Sequence, residues 1–230
     1  MFKIRSFGLN KKIITVMIVV VIGFAWIYTW PWLQNSPNIR ETDKSFFILG
    51  YSMDWNYYQT KNDCGPFSLA AAYRILKQQN VDSAEFVREM PWRIPERLTF
   101  PTGLEQLARQ KGLQTSTPSL IKLSNSERVR WLESELSQGR PVIILGGFAN
   151  SWYYRHYVTV LGYSKQGGQT EYYLYDSLQK KSENNEKMTI DATLSVSGNK
   201  VLSESQLLDF WSRGGIAGVY QWYGLSLSND

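Results

Sequence analysis

The chain has 230 residues, 25 Lys+Arg against 20 Asp+Glu, one Cys and one His. A hydrophobic content of 43% excludes a disordered chain, and single copies of Cys and His exclude an internal disulfide framework, a multi-Cys metal site and a multi-His metal centre. The net charge of +5 is not the footprint of a nucleic-acid binder: Lys3, Arg5, Lys11 and Lys12 supply +4 of it, leaving 5 − 4 = +1 for the other 218 residues.

Those four cations flank Ile13 to Trp30 (IITVMIVVVIGFAWIYTW), eighteen residues without a charge. As a helix the run spans about 27 Å, close to a hydrocarbon core of roughly 30 Å. Trp26, Tyr28, Trp30 and Trp32 crowd its far end, where amphipathic rings suit the headgroup zone. The run is longer than a signal-peptide core and ends in no small-residue cleavage site. The expectation is a basic cytoplasmic tail over residues 1–12 and an uncleaved signal-anchor helix over 13–32. It places the N-terminus in the cytoplasm and the rest of the chain outside it, periplasmic or extracellular. Residues 33–45 are polar and read as a linker.

The exported part, 46–230, begins with a predicted strand at Phe46–Tyr51. From Cys64 a helical pattern runs with Leu69, Ala72, Tyr73 and Leu76 on one face. Asn62 or Asp63 is placed to cap it, and Pro66 suits its first turn. Shorter helices are predicted over Ser83–Met90, Gly103–Gly112 and Asn125–Gln138, the last two stopped by Gly112 and Gly139. Strands follow at Pro141–Leu145, Tyr157–Tyr163 and Tyr172–Tyr175, the last two joined by a turn containing Gly167-Gly168. Residues 181–200 are polar and weakly patterned. A helix at Ser203–Trp211 and a strand at Gly218–Tyr223 close the chain. Helices first and an antiparallel sheet second make an α+β layout.

The only Cys sits where this layout starts a helix, and exposed N–H groups and the dipole favour a thiolate there. His156 opens one strand and Asp176 ends the next. Their numbers sum to 332, which centres a simple hairpin on Gln166 and sets the two side chains directly opposite each other. A carboxylate so placed fixes the tautomer of an imidazole and stabilises its charged form. Gln59, five residues before the Cys, can donate to an oxyanion alongside the Cys64 N–H. Ser151 to Arg155 and Trp55, Tyr57 and Tyr58 could line a groove or simply pack on the sheet. The sequence holds no phosphate loop, nucleotide fingerprint or calcium loop.

These segments together resemble a known group. Gln59, Asp63-Cys64-Gly65-Pro66-x-Ser68-Leu69-Ala70, Gly139-Arg140-Pro141-Val142-Ile143, His156-Tyr157-Val158-x-Val160-x-Gly162-Tyr163, Asp176 and the closing Phe210-Trp211 look like the papain-like cysteine peptidases of the bacteriocin-processing, double-glycine type and their C39-like relatives. The resemblance implies a papain-like fold, a Cys64 nucleophile, a His156 base, an Asp176 orienter, a Gln59 oxyanion donor, no cofactor or metal, and a protein or peptide substrate. Two departures stand out: Ser177 follows Asp176 where relatives often have Pro, and the outward-facing anchor points to an exported or periplasmic substrate rather than a double-glycine leader. The same thioester chemistry would serve an acyl-transfer enzyme or amidase, and the same scaffold an anchored binding module.

Overall fold

The computed structural model describes residues 36–59, 61–94, 98–148, 154–178, 198–215 and 219–229. The expected anchor over 13–32 lies outside them. Among the described residues no helix is long and apolar enough to cross a membrane.

In chain order the elements are β1 (Phe46–Ile48), α1 (Cys64–Lys77), α2 (Ser83–Glu89), β2 (Arg93–Ile94), β3 (Leu98–Thr99), α3 (Pro101–Gln110), β4 (Leu113–Ser116), α4 (Asn125–Ser137), β5 (Val142–Gly147), β6 (Arg155–Gln166), β7 (Gln169–Tyr175), β8 (Lys200–Ser203), α5 (Glu204–Ser212) and β9 (Gly224–Asn229). Seven strands form one antiparallel sheet in the order β4-β9-β5-β6-β7-β8. β1 pairs with the far half of β6, on past the segment that β5 occupies. Helices and antiparallel sheet agree with the expected α+β class.

β5 sorts the core by parity, because successive strand side chains point to opposite faces. Val142 and Ile144 join Val158, Val160, Trp131 of α4 and Trp211 of α5 in one cluster. Ile143 and Leu145 join Tyr157, Leu104 and Leu107 of α3, and Leu69 of α1 in the other. Helices therefore cover both faces, and α1 supplies side chains to both clusters. α4 starts with a complete capping box between Ser124 and Glu127, which satisfies backbone donors that the helix leaves open. Residues 36–45 lie along α4: the Arg40 N–H donates to Ser134 Oγ at 3.3 Å and Lys44 Nζ to the Ser137 carbonyl at 3.2 Å.

Four expectations need correction. Asp63 occupies the cap position of α1 but makes no side-chain cap bond, because its carboxylate is taken by Arg93. α3 starts at Pro101 rather than Gly103, since a proline ring is already set for a helix's first residue. The closing strand is not at Gly218–Tyr223. Tyr220 and Trp222 there have positive φ (62° and 61°), which no strand tolerates, and β9 begins only at Gly224.

The fourth correction is the β6–β7 register. Gly167 and Gly168 both have positive φ and make a two-residue turn, so the hairpin closes with Gln166 opposite Gln169. A bulge between Val160 and Gly162 then shifts the pairing to Val160 opposite Leu174. Continuing that register sets Asp176 opposite Val158, not His156. The two remain on one face, since 156, 158 and 160 share a side of β6, but they meet along a diagonal. Gly162 has a reason of its own: a Cβ there would sit 2.3 Å from the Phe47 carbonyl of β1.

Candidate active site

Cys64 is the first residue of α1, 7% exposed, at the positive end of a fourteen-residue helix. β6 runs beneath α1, fastened where Thr159 Oγ1 donates to the Ser68 carbonyl at 2.9 Å. Three residues back along β6 is His156, with no exposed surface. Its Nε2 hydrogen-bonds Asp176 Oδ1 at 2.7 Å. Nδ1 has no hydrogen bond of normal geometry among the described residues, and the charge of Cys64 lies within its electrostatic reach. The diagonal across the hairpin is short enough for an imidazole and a carboxylate to bridge.

Asp176 is held on every side. Oδ1 also accepts the Leu178 N–H at 2.9 Å, and Oδ2 accepts Lys200 Nζ at 2.6 Å. Its backbone is clamped by Asn199, which accepts from the Asp176 N–H at 2.8 Å and donates to its carbonyl at 2.9 Å. Lys200 is only 23% exposed and also lies over the rings of Phe148 and Phe210. Phe148 stacks on His156 with ring centres 5.9 Å apart.

The electrostatics follow from these contacts. Burial works against a charged imidazole, but the hydrogen bond to Asp176 and the electrostatic interactions with Cys64 and Asp176 outweigh it, raising the His156 pKa to about 9. Burial likewise opposes ionisation of Asp176, yet the hydrogen bond to His156, its charge and that of Lys200 hold the carboxyl well below the ordinary carboxylate range. At neutral pH this arrangement favours an imidazolium paired with the Asp176 carboxylate.

Gln59 is buried beside this pair. Its N–H donates to the Ser177 carbonyl at 3.0 Å, and Ser177 Oγ donates to its Oε1 at 2.6 Å. With the amide oxygen so occupied, the NH2 end is the one left to donate elsewhere. Ser177, a departure from the resemblance's pattern, thus has a structural task. All four candidates of the sequence, Cys64, His156, Asp176 and Gln59, fall in one neighbourhood. Sequence reasoning missed Lys200 at the start of β8, Asn199 just before it and Phe148 just after β5, which reach the site from elsewhere in the chain and carry no local signal. Of the two possible groove segments, Tyr154 and Arg155 line a cavity at Cys64. Trp55 and Tyr57 pack against the core, Ser151–Tyr153 lie outside the described residues.

The sequence pattern of the Peptidase_C39 like family matches residues 52–197. The chain belongs to this family. It is a cysteine-type peptidase. No curated protein matches the sequence. Among solved structures, the peptidase domain of Streptococcus ComA, a bi-functional ABC transporter involved in a quorum-sensing pathway, is 18% identical over 76% of this chain and 97% of that domain, with a TM-score of 0.44. UfSP from C. elegans is 14% identical over 84% of this chain, with a TM-score of 0.45; the match spans 35% of UfSP.

Proposed function

We propose that this C39-like peptidase is a membrane-anchored enzyme that hydrolyses peptide bonds of an exported or periplasmic protein or peptide through a Cys64–His156–Asp176 triad. The observation that carries the reading is the buried 2.7 Å His156–Asp176 hydrogen bond beside a cysteine at a helix N-terminus. The Cys64 thiolate attacks the scissile carbonyl, and its oxygen becomes an oxyanion held by the Cys64 N–H and the Gln59 amide. The C–N bond then breaks as His156 gives its proton to the leaving amine, leaving an acyl-thioester. Water loses a proton to His156 and attacks the thioester. The acid is released, and the thiolate–imidazolium pair is restored. Asp176 holds the ring in one orientation and stabilises its charged form.

The anchoring is supported by the sequence: four cations, eighteen uncharged apolar residues and an aromatic far edge. The test pairs the full chain with Cys64→Ala, both in detergent, on a set of unstructured peptides with products read by mass spectrometry. Hydrolysed products from the parent and none from the variant are expected. Equal cleavage by Cys64→Ala would end the reading. A C-terminal alkaline phosphatase fusion checks the orientation, with activity expected only if the domain is exported.

A further inference from the structure

A cavity of about 650 Å³ opens at Cys64. That volume lies within the range of sites that enclose whole ligands. Among the described residues its lining includes Leu98, Phe100, Pro101, Leu145, Tyr157 and Val219 and holds no carboxylate and no lysine. The one cation among the described lining residues, Arg155, is turned to the protein: Nε donates to the Gly214 and Gly215 carbonyls at 3.1 and 2.8 Å, and a terminal nitrogen to the Tyr154 carbonyl at 3.1 Å.

The wall beside the thiol is built to stay. β2 and β3 form a small hairpin, and the Arg93–Asp63 ion pair ties it to the residue before Cys64. Gly65 lets that wall close in, for a Cβ there would lie 3.0 Å from Thr99 Cβ and Cγ2. The Tyr157 hydroxyl donates to the Thr99 carbonyl at 3.0 Å and joins the wall to β6. Thr99 itself is 3% exposed and lines the cavity, and its Oγ1 has no hydrogen-bond partner among the described residues. A buried hydroxyl left open in the wall of this chamber is a place for a substrate peptide group to bond.

Parity says which part of the substrate enters. Tyr157 points to the opposite face of β6 from His156. The leaving amine must lie over His156, which protonates it. The chamber on the other face therefore takes the acyl side. A pair of glycines would leave this apolar surface uncovered, and a lysine or arginine would meet Arg155 with no carboxylate among the described lining residues to balance it.

We propose that the cavity is the specificity pocket of this peptidase, and that it selects a bulky uncharged apolar side chain, aromatic or branched aliphatic, at one of the two positions before the scissile bond, with Thr99 Oγ1 bonding the substrate backbone there. The proposal rests on the peptidase reading above. The test uses peptide vinyl sulfones carrying Gly, Leu, Phe or Lys at each of those two positions. Their rates of Cys64 labelling on the full chain are followed by intact mass, beside labelling by iodoacetamide. Phe or Leu at one position should label at least about tenfold faster than Gly and Lys, the discrimination a fitted apolar pocket provides. Val219→Trp, and independently Leu98→Trp, should fill the chamber and shrink that ratio by about tenfold. Rates independent of the side chain, or fastest with Gly at both positions, would overturn the pocket. A Cys64 that iodoacetamide cannot alkylate would instead overturn the peptidase reading itself.

Discussion

At the scale of single residues, the unusual element is a lysine behind the Asp176 carboxylate. Lys200 and His156 share Asp176, one on each oxygen. The ammonium therefore competes with the imidazolium for the same anion and moderates the basicity that Asp176 confers. His156 titrates at about 9, so the fall in kcat/KM on the alkaline side is expected near that pH. Removing the competitor strengthens the remaining pair: Lys200→Met should move the alkaline limb upward. A pH–rate profile checks it, and a downward move would contradict it. Gln59 and Ser177 make a second residue-scale pair. Gln59→Ala should lower kcat about 10²-fold, as loss of an oxyanion donor does. Ser177→Ala leaves the amide present but free to turn, so a smaller loss, in kcat rather than KM, is expected from steady-state kinetics.

At the scale of elements, much of the site was legible because local chemistry marked it. Cys64 at a helix start followed from the apolar periodicity after it and from Pro66, and the helix begins there. The meeting of His156 and Asp176 was also legible, but by a shorter route than the real one. The alternation of β6 and β7 fixes which face a residue takes; the register depends on where the turn sits and on a bulge, and the extra residue at the bulge has no signature within the hairpin. β8 was missed because its four residues gain their place only by pairing with β7, and Lys200 came with it. The cavity was invisible for the same reason: its walls come from β3, α3, β5, β6 and the turn before β9. The element that links packing to chemistry is β5. Gly146 pairs with His156, and a Cβ on it would sit 2.1 Å from the Phe210 ring. Phe210 in turn meets Phe148, which stacks on His156. Gly146→Ala should cost about 1–3 kcal/mol through overpacking. It should also lower kcat by up to about 10²-fold by displacing the imidazole. Denaturant melts and kinetics on the same preparation measure both; unchanged kcat would break the link.

At the scale of the molecule, the proposed triad is also a stabilising charge cluster, and its pH window follows from the direction of each shift. His156 is raised above its ordinary 6.5, so its contribution is complete below 6.5 and disappears as pH rises through about 9. Asp176 is lowered below its ordinary 3.8, so its contribution is present above 3.8 and disappears on further acidification. Thermal stability should therefore hold between these limits and decline outside them. Because Cys64 helps to raise His156, Cys64→Ala should bring the alkaline decline to lower pH. Calorimetry on both proteins in a buffer series decides it; coincident curves would remove Cys64 from the cluster.

The clamp between Asn199 and Asp176 has one more consequence, in chain entropy. The polypeptide leaves the site at Asp176 and returns at Asn199, and the two ends are held together by Asn199's two hydrogen bonds and by the β7–β8 ladder. The cost of bringing those ends together rises only logarithmically with the length of chain between them, about 0.6 kcal/mol for each doubling. What joins Leu178 to Gly198 can therefore lengthen or change in sequence while the carboxylate beside His156 stays where it is.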